Sequence, residues 1–359
     1  MAGPVRVALA LGSGGARGNA HIGAVQVLEE RGAEIVTIAG SSMGALVGGV
    51  RAAGHLDDLI EWMTGLRQRD VVRMLDPSLS APGAIRGEKI MARVRELLDG
   101  ARIEDLPIPY TAVATDLLGR REVWFQRGPA DTAIRASIAI PGVITPVVLN
   151  GRLLADGGIM NPVPLAPTAA AGADLTVAVS LLGEPREAAP APPVQETSEP
   201  RPMEEWTERF RSGAAHLLDR DVVRAVLHRF GGSDGEGGQG AAGDGDGPAL
   251  LVADAAEVVA PDGTAAGPVP PVAEALVDAV FEELPAGLGR ADVMSHSIDA
   301  MQSLLIRYRM AGYPPDVLVT VPRDACRSLD YHRAAEMIEL GRTLTIEALD
   351  RAEVLPAPS

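Results

Sequence analysis

A serine between two glycines is the strongest indication of chemistry in this sequence. Gly40-Ser41-Ser42-Met43-Gly44 has the spacing G-x-S-x-G, in which the glycines permit a tight, strained turn that exposes the serine hydroxyl. The motif predicts that Ser42 is the nucleophile of a serine hydrolase. A glycine-rich turn whose serine only caps the following helix is the alternative. A nucleophilic serine also needs a base and donors for the oxyanion it creates.

A glycine-rich loop near the N-terminus supplies such donors. The loop is Gly12-Ser13-Gly14-Gly15-Ala16-Arg17-Gly18. The consecutive backbone N–H groups of Gly14-Gly15-Ala16 at a helix N-terminus predict an oxyanion hole, to which Arg17 adds positive charge or rigidity. A dinucleotide fingerprint would need glycine at Arg17, and a Walker loop would need a lysine. A tight turn without catalytic duty remains open.

Asp156-Gly157-Gly158 provides the candidate base, because the aspartate directly follows a short apolar strand. Burial there would raise the pKa of the carboxyl group and make it a better acceptor for the Ser42 proton. An aspartate before glycine is also a common turn cap, which is the alternative role.

A catalytic triad would require a histidine after the acid in the chain, either His296 or His332. Both lie in segments with a helical pattern. Ser42 follows only the second predicted strand, whereas the α/β-hydrolase fold usually places its nucleophile after several more strands. The order of elements therefore argues against a triad of the α/β-hydrolase type, which stays an alternative.

Strands that alternate with helices must position these residues, and this alternation predicts a parallel sheet with helices on both faces. The predicted strands are Val5–Leu11, Glu34–Ala39, Pro109–Asp116, Glu122–Gln126, Leu175–Leu181 and Asp316–Val321. The predicted helices are Ala20–Arg31, Ala45–Gly54, His55–Arg73, Gly87–Leu98, Ala130–Ala139, Arg290–Ala311 and Tyr331–Asp350. Asn150-Gly151 predicts a hairpin turn between Val147–Leu149 and Arg152–Leu154.

Residues 183–289 differ in composition from the segments on either side. Gly183–Pro202 is rich in proline and glutamate, Met203–Phe230 has an amphipathic helical pattern, and Gly231–Gly247 is a low-complexity stretch. We interpret 183–289 as a long, partly disordered insertion within a single domain, 1–359. The amphipathic stretch would pack on the core or serve as a lid, a lipid-facing surface or a partner helix.

Composition narrows the classes of partner. The net charge of −16 argues against nucleic acid as a ligand. The single cysteine, Cys326, rules out an intrachain disulfide, and we find neither signal-peptide layout nor an apolar run that could span a bilayer. We therefore expect a cytoplasmic protein, with transient contact at the inner membrane face allowed. Nothing in the sequence fixes its oligomeric state.

The three motifs in this order resemble the patatin-like phospholipase family, in particular the bacterial branch similar to the catalytic domain of neuropathy target esterase. Arg135–Gly142 and Asn161–Pro164 resemble the same branch. The resemblance implies a three-layer α/β/α sandwich with a mainly parallel central sheet. Its motif glycines would be Gly18, Gly40, Gly44, Gly157 and Gly158.

The resemblance also implies a serine esterase that acts through a Ser42–Asp156 dyad. Gly14, Gly15, Ala16 and Arg17 would form its oxyanion hole, and it would use neither a cofactor nor a metal. Its substrate would be a lipid acyl ester such as a phospholipid, a lysophospholipid or a neutral glyceride. A regulatory protein that keeps the fold but binds a lipid or a partner with little turnover is the alternative.

Overall fold

The computed structural model describes residues 3–74, 83–85, 87–185 and 290–356, with the side chains of 83–85, 142 and 290–296 left aside. The chain divides into two compact units, Met1–Ala189 with Pro285–Ser359, and Pro190–Leu284. The predicted amphipathic segment Met203–Phe230 and all of the second unit lie outside the described residues.

The central sheet is mainly parallel, as predicted. Its strands follow the order β10-β9-β1-β2-β4-β8-β7, and β5 also pairs with β4. The parallel strands are β1 (Arg6–Leu11), β2 (Glu34–Ser41), β4 (Tyr110–Asp116), β9 (Leu175–Gly183) and β10 (Val317–Pro322). The antiparallel strands are β5 (Arg121–Phe125), β7 (Val147–Leu149) and β8 (Arg152–Asp156). The pairing of β7 with β8 confirms the predicted hairpin.

A separate two-stranded parallel sheet was not predicted. It pairs β3 (Gly83–Ile85) with β6 (Gly142–Ile144). Strands of this length are too short to show a period of two in the sequence, so no pattern could have found them.

The helices lie close to their predicted positions. They are α1 (Ala20–Glu30), α2 (Met43–Ala52), α3 (Leu56–Gly65), α4 (Gln68–Met74), α5 (Glu88–Leu98), α6 (Ala130–Ser137), α7 (Arg290–Gly312) and α8 (Ala334–Arg351). The helix predicted over His55–Arg73 is in fact two helices, because Leu66 has an extended backbone between them. Within the described part of the chain, no helix combines the length and the apolar character of a membrane span.

Both faces of the sheet are covered. Val7, Leu9 and Leu11 of β1 belong to the main core, together with residues of α1, α2 and α8. Ala10 belongs to a second cluster, against which Ile306 and Met310 of α7 pack. Since side chains alternate along a strand, the two clusters lie on opposite faces of the sheet. This arrangement confirms the three-layer α/β/α sandwich.

The strand register brings the three motifs together at one end of the strands. Leu11 at the end of β1 pairs with Gly40 of β2. Ser41, the last residue of β2, pairs with Val113 of β4. The next residue of β4, Ala114, pairs with Asp156 of β8. The glycine loop, the serine turn and the aspartate therefore leave the sheet side by side, at the strand ends where α/β proteins place their ligands.

Candidate active site

Ser42 lies on a strained turn between β2 and α2. Its backbone angles are φ 56° and ψ −123°, a region that costs a residue with a side chain about 1–3 kcal/mol. The Ser42 N–H donates to Ser137 Oγ at 2.9 Å, and Ser137 Oγ donates to the Val113 carbonyl at 2.6 Å. Ser137 therefore holds the turn from outside, a role that the motif itself does not reveal.

The glycines on either side of Ser42 permit a close approach of backbones. A Cβ at Gly44 would collide with the Leu11 carbonyl and would stand 2.8 Å from the Gly12 carbonyl oxygen. A Cβ at Gly40 would collide with Gly44 itself. The G-x-S-x-G spacing thus lets α2 start directly against the end of β1, which brings the serine next to the glycine loop.

Asp156 is buried at the end of β8, with 4% of its surface exposed. Its Oδ1 accepts the Gly158 N–H at 2.7 Å, whereas Oδ2 is buried without a hydrogen-bond partner among the described residues. Burial raises the pKa of Asp156 to about 6, and the nearby donor groups of Ser42, Gly158 and Ser13 oppose this rise. The result is a carboxylate that is ionised at neutral pH, lies beside the Ser42 hydroxyl and keeps one oxygen unpaired.

Helix α7 holds the turn that follows Asp156. Gln302 Nε2 donates to the Gly158 carbonyl at 2.8 Å, and Arg309 Nε donates to the Met160 carbonyl at 3.1 Å. The Arg309 guanidinium also forms an ion pair with Glu122 of β5, with 3.1 Å between Nη2 and Oε1. These three side chains could not be identified from the sequence, because a contact with a residue distant in the chain leaves no local pattern.

Asn161 ties the aspartate turn to the serine turn. Its carbonyl accepts a hydrogen bond from Ser41 Oγ at 2.6 Å, and its Nδ2 donates to Glu122 Oε2 at 2.6 Å. Gly157 and Gly158, the two motif glycines of the aspartate turn, are both buried. A Cβ at Gly158 would stand 2.5 Å from the Ser13 Cβ, so this glycine lets the turn pack against the glycine loop.

The glycine loop runs into a short 3-10 helix, Gly15–Asn19, beside the serine turn. Gly18 packs against Met43, the residue after Ser42, where a Cβ would collide with the Met43 side chain. The Ala16 N–H donates to the Ser328 carbonyl at 2.9 Å. Within the described residues, the Gly14 and Gly15 N–H groups have no backbone acceptor.

Arg17 fixes the loop through its side chain. Its guanidinium donates from Nε to the Gly14 carbonyl at 3.2 Å and from Nη1 to the Arg323 carbonyl. Only 7% of the Arg17 surface is exposed, and this burial lowers the pKa of the guanidinium. Of the two roles predicted for the Arg17 side chain, the hydrogen bonds directly support rigidity.

The histidines whose side chains the structure describes, His21, His55 and His332, form no hydrogen bond with Ser42 or Asp156. His21 is fully buried, with Nε2 2.8 Å from the Gly12 carbonyl oxygen. Burial lowers the pKa of His21 to about 4, so the ring is neutral and donates from Nε2. His332 lies in the turn before α8, and the side chain of His296 lies outside the described residues.

A cavity of about 710 Å³, including its mouth, opens at Ser42. Among the described residues that line it, the side chains other than Ser42, Trp62 and Tyr331 contain neither nitrogen nor oxygen. Its apolar walls include Leu46, Met63, Leu66, Ile90, Ile138 and Leu329. A nucleophile at the end of an apolar cavity suits a substrate whose reactive group is attached to a hydrocarbon chain.

Comparison with known proteins identifies the family to which this chain belongs. The patatin-like phospholipase family model matches residues 9–169. That span contains the glycine loop, Ser42, Ser137 and Asp156.

One of the relatives matches nearly the whole chain. An uncharacterized NTE family protein of Mycobacterium tuberculosis is 52% identical over 350 residues, which are 97% of this chain and 92% of that protein. A lysophospholipase, NTE1, of Cryptococcus neoformans is 34% identical over 168 residues, 45% of this chain and 10% of that protein. The crystal structure of VipD from Legionella pneumophila aligns with a TM-score of 0.41 and 16% identity, over 52% of this chain and 51% of that chain, a likeness too low to support an argument.

The chain therefore belongs to the patatin-like phospholipase family. More particularly, it is an NTE family protein. Membership in this family implies a lipid hydrolase activity.

Proposed function

We propose that this protein hydrolyses lipid acyl esters through a Ser42–Asp156 dyad. One observation carries the proposal: the strained Ser42 lines an apolar cavity beside a buried carboxylate, one oxygen of which has no hydrogen-bond partner among the described residues. A protein that only bound lipid would not need to maintain backbone strain and a buried, unpaired oxygen at the same point, because both cost stability.

Acylation begins when Asp156 takes the proton of the Ser42 hydroxyl as the hydroxyl oxygen attacks the carbonyl carbon of the ester. The pKa of about 6 suits this role, because the carboxylate is ionised at neutral pH yet is a stronger base than an exposed aspartate. The negative charge that develops on the carbonyl oxygen is held by the N–H groups of Gly14 and Gly15. Ala16 can join them only if its N–H leaves the Ser328 carbonyl.

Collapse of the tetrahedral intermediate breaks the bond between the carbonyl carbon and the alcohol oxygen. Asp156 returns its proton to the departing alcohol, and the acyl group stays on Ser42 Oγ. A water molecule then attacks the acyl carbonyl and gives its proton to Asp156. The second collapse releases the fatty acid, and Ser42 recovers its proton from Asp156.

The apolar lining of the cavity favours an acyl chain as the part of the substrate that binds there. The described residues of its lining offer dispersion contacts and no charged group, so moving a hydrocarbon chain from water into the cavity is favourable. Phospholipids, lysophospholipids and neutral glycerides all present an ester oxygen at the end of such a chain. The relative named lysophospholipase favours a phospholipid-type substrate.

Labelling with a fluorophosphonate probe tests the nucleophile and the base. We expect wild type to be labelled, Ser42→Ala to show no labelling, and Asp156→Ala to be labelled at least about a hundredfold more slowly. Thr343→Ala, which removes an exposed hydroxyl from α8, should be labelled like wild type. Labelling that persists in Ser42→Ala would refute the assignment, and a folded wild type that is neither labelled nor active would favour the binding-only alternative.

A further inference from the structure

The connection between β10 and α8, residues 323–333, lies against the glycine loop. Its Ser328 carbonyl accepts the Ala16 N–H at 2.9 Å, and its Arg323 carbonyl accepts a hydrogen bond from the Arg17 side chain. A segment more than 300 residues away in sequence therefore occupies one of the donors predicted for the oxyanion hole.

The same connection places Tyr331 against that loop and in the wall of the cavity that Ser42 lines. Its ring packs on the cluster formed by Ala16, Cys326 and Met337. The ring also lines the cavity into which Ser42 opens. Among the described lining side chains, Ser42 and Trp62 are the only other donors, and the remaining ones are hydrocarbon or thioether.

The hydroxyl of Tyr331 is a free donor in the described part of the chain, because no hydrogen bond links it to another described residue. Burial and then the negative charge of Asp156 raise the pKa of Tyr331 to about 12. The phenol consequently keeps its proton at neutral pH, where Asp156 is ionised. It can donate to a negative charge and cannot act as a base there.

We propose that Tyr331 is a further catalytic residue whose hydroxyl donates a hydrogen bond to the substrate oxyanion at Ser42, in place of the Ala16 N–H that Ser328 holds. This role rests on the proposed function, since it requires a tetrahedral intermediate on Ser42. Within the connection 323–333, the Ser328 carbonyl occupies the Ala16 N–H. Tyr331, three residues later, would supply a hydroxyl donor instead. The oxyanion site is thus built by both ends of the chain.

Tyr331→Phe tests this role, because it removes the hydroxyl and keeps the ring. We expect kcat to fall about 10²–10³-fold, the cost of losing one oxyanion donor, with KM changed by no more than about threefold. Affinity for an acyl trifluoromethyl ketone, whose adduct with Ser42 carries an oxyanion, should fall in proportion to kcat/KM. The acidic limb of the pH profile, set by Asp156, should stay near pH 6.

His332→Ala is the matched control, because it alters the neighbouring residue of the same turn. It should keep wild-type kcat, and both variants should melt within about 2 °C of wild type. An unchanged kcat in Tyr331→Phe would overturn the role of Tyr331 while leaving Ser42 as nucleophile. A loss seen with alkyl esters but not with p-nitrophenyl esters would also overturn it, because the phenol would then serve the leaving group. Labelling that persists in Ser42→Ala would instead refute the proposed function itself.

Discussion

The two turns that carry Ser42 and Asp156 are held in different ways. The serine turn is formed by its own neighbours: β2 leads into it, α2 leads out, and Gly40 and Gly44 let the backbones meet. The aspartate turn is held by side chains from α7, with Gln302 and Arg309 bound to its carbonyls across sequence separations of 144 and 149 residues. The geometry of the nucleophile is therefore encoded locally, whereas the geometry of the base depends on the assembled fold.

The two turns also lower the stability of the fold in different ways. At Ser42 the cost is backbone strain, because a residue with a side chain occupies positive φ. At Asp156 it is desolvation, because a charge is held away from water. Natural enzymes commonly accept such local losses of stability where they raise activity. If both turns are catalytic, variants that relax them should separate activity from stability.

Replacing the candidate base should give the largest loss of activity. Asp156→Asn keeps an oxygen that can accept the Gly158 N–H but cannot take the Ser42 proton, so kcat should fall about 10³-fold. In wild type, kcat/KM should decline below about pH 6, since Asp156 must be ionised to act and its pKa is about 6. A pH profile with no limb near this value would argue against Asp156 as the base.

The same variant should stabilise the fold at neutral pH. The folded-state pKa of Asp156 is raised from 3.8 to about 6, so the folded state binds the proton more tightly, and stability falls as pH rises through that window. Asp156→Asn removes a penalty of about 3 kcal/mol at pH 8. Urea unfolding of wild type and Asp156→Asn at pH 4 and pH 8 measures this difference in stability, which should be much smaller at pH 4.

Breaking the serine turn should act on folding. Gly44→Ala places a Cβ against the backbone of Leu11 and Gly12, which cannot move without disturbing β1, so the variant should lose about 3 kcal/mol. Gly65→Ala is the control, because nothing lies within 4 Å of its Cβ, and its stability should stay within about 1 kcal/mol of wild type. Equal stability of the two variants in urea would show that the turn is less constrained than its geometry indicates.

Loosening the serine turn from outside should have a moderate effect. Ser137→Ala leaves the Ser42 N–H and the Val113 carbonyl without their shared partner, which should cost about 2 kcal/mol. Fluorophosphonate labelling should slow as well, because the turn loses its external support. Thr64→Ala, an exposed hydroxyl bonded within its own helix, should change stability by less than about 0.5 kcal/mol.

Loosening the aspartate turn should have the smallest effect. Gln302→Ala frees the Gly158 carbonyl, and a small displacement of the base should lower kcat about tenfold. The acidic limb of the pH profile should move upward, because the Gly158 N–H would stabilise the carboxylate less well. Met301→Ala, 59% exposed on the same helix, should leave both quantities unchanged. A limb that stays in place would show that Gln302 has only a structural role.

Elements with strong local patterns were the ones that could be predicted. β1, α1 and β2 followed from apolar runs and glycine turns, and the β7–β8 hairpin followed from Asn150-Gly151. The break between α3 and α4 was missed, because Leu66 belongs to the same apolar pattern as the helices on either side. For the candidate site, the motifs point to Ser42 and Asp156, whereas no local pattern points to Ser137 or Gln302, because both act through hydrogen bonds to distant partners.

The sequence by itself determined which groups could react. G-x-S-x-G requires a tight turn at Ser42, and Asp156-Gly157-Gly158 requires an aspartate at the end of a strand, since each pattern constrains its own backbone. The exposure predicted for Ser42 was wrong, because the fold leaves only 3% of its surface accessible. Only the tertiary structure decided how the groups are combined. The register of β4 places Asp156 beside the serine turn, and the connection before α8 puts Ser328 on Ala16 and Tyr331 in the cavity. The physical reason is that burial and long-range hydrogen bonds exist only once the sheet has formed, and they set the pKa of Asp156 and the donors around Ser42.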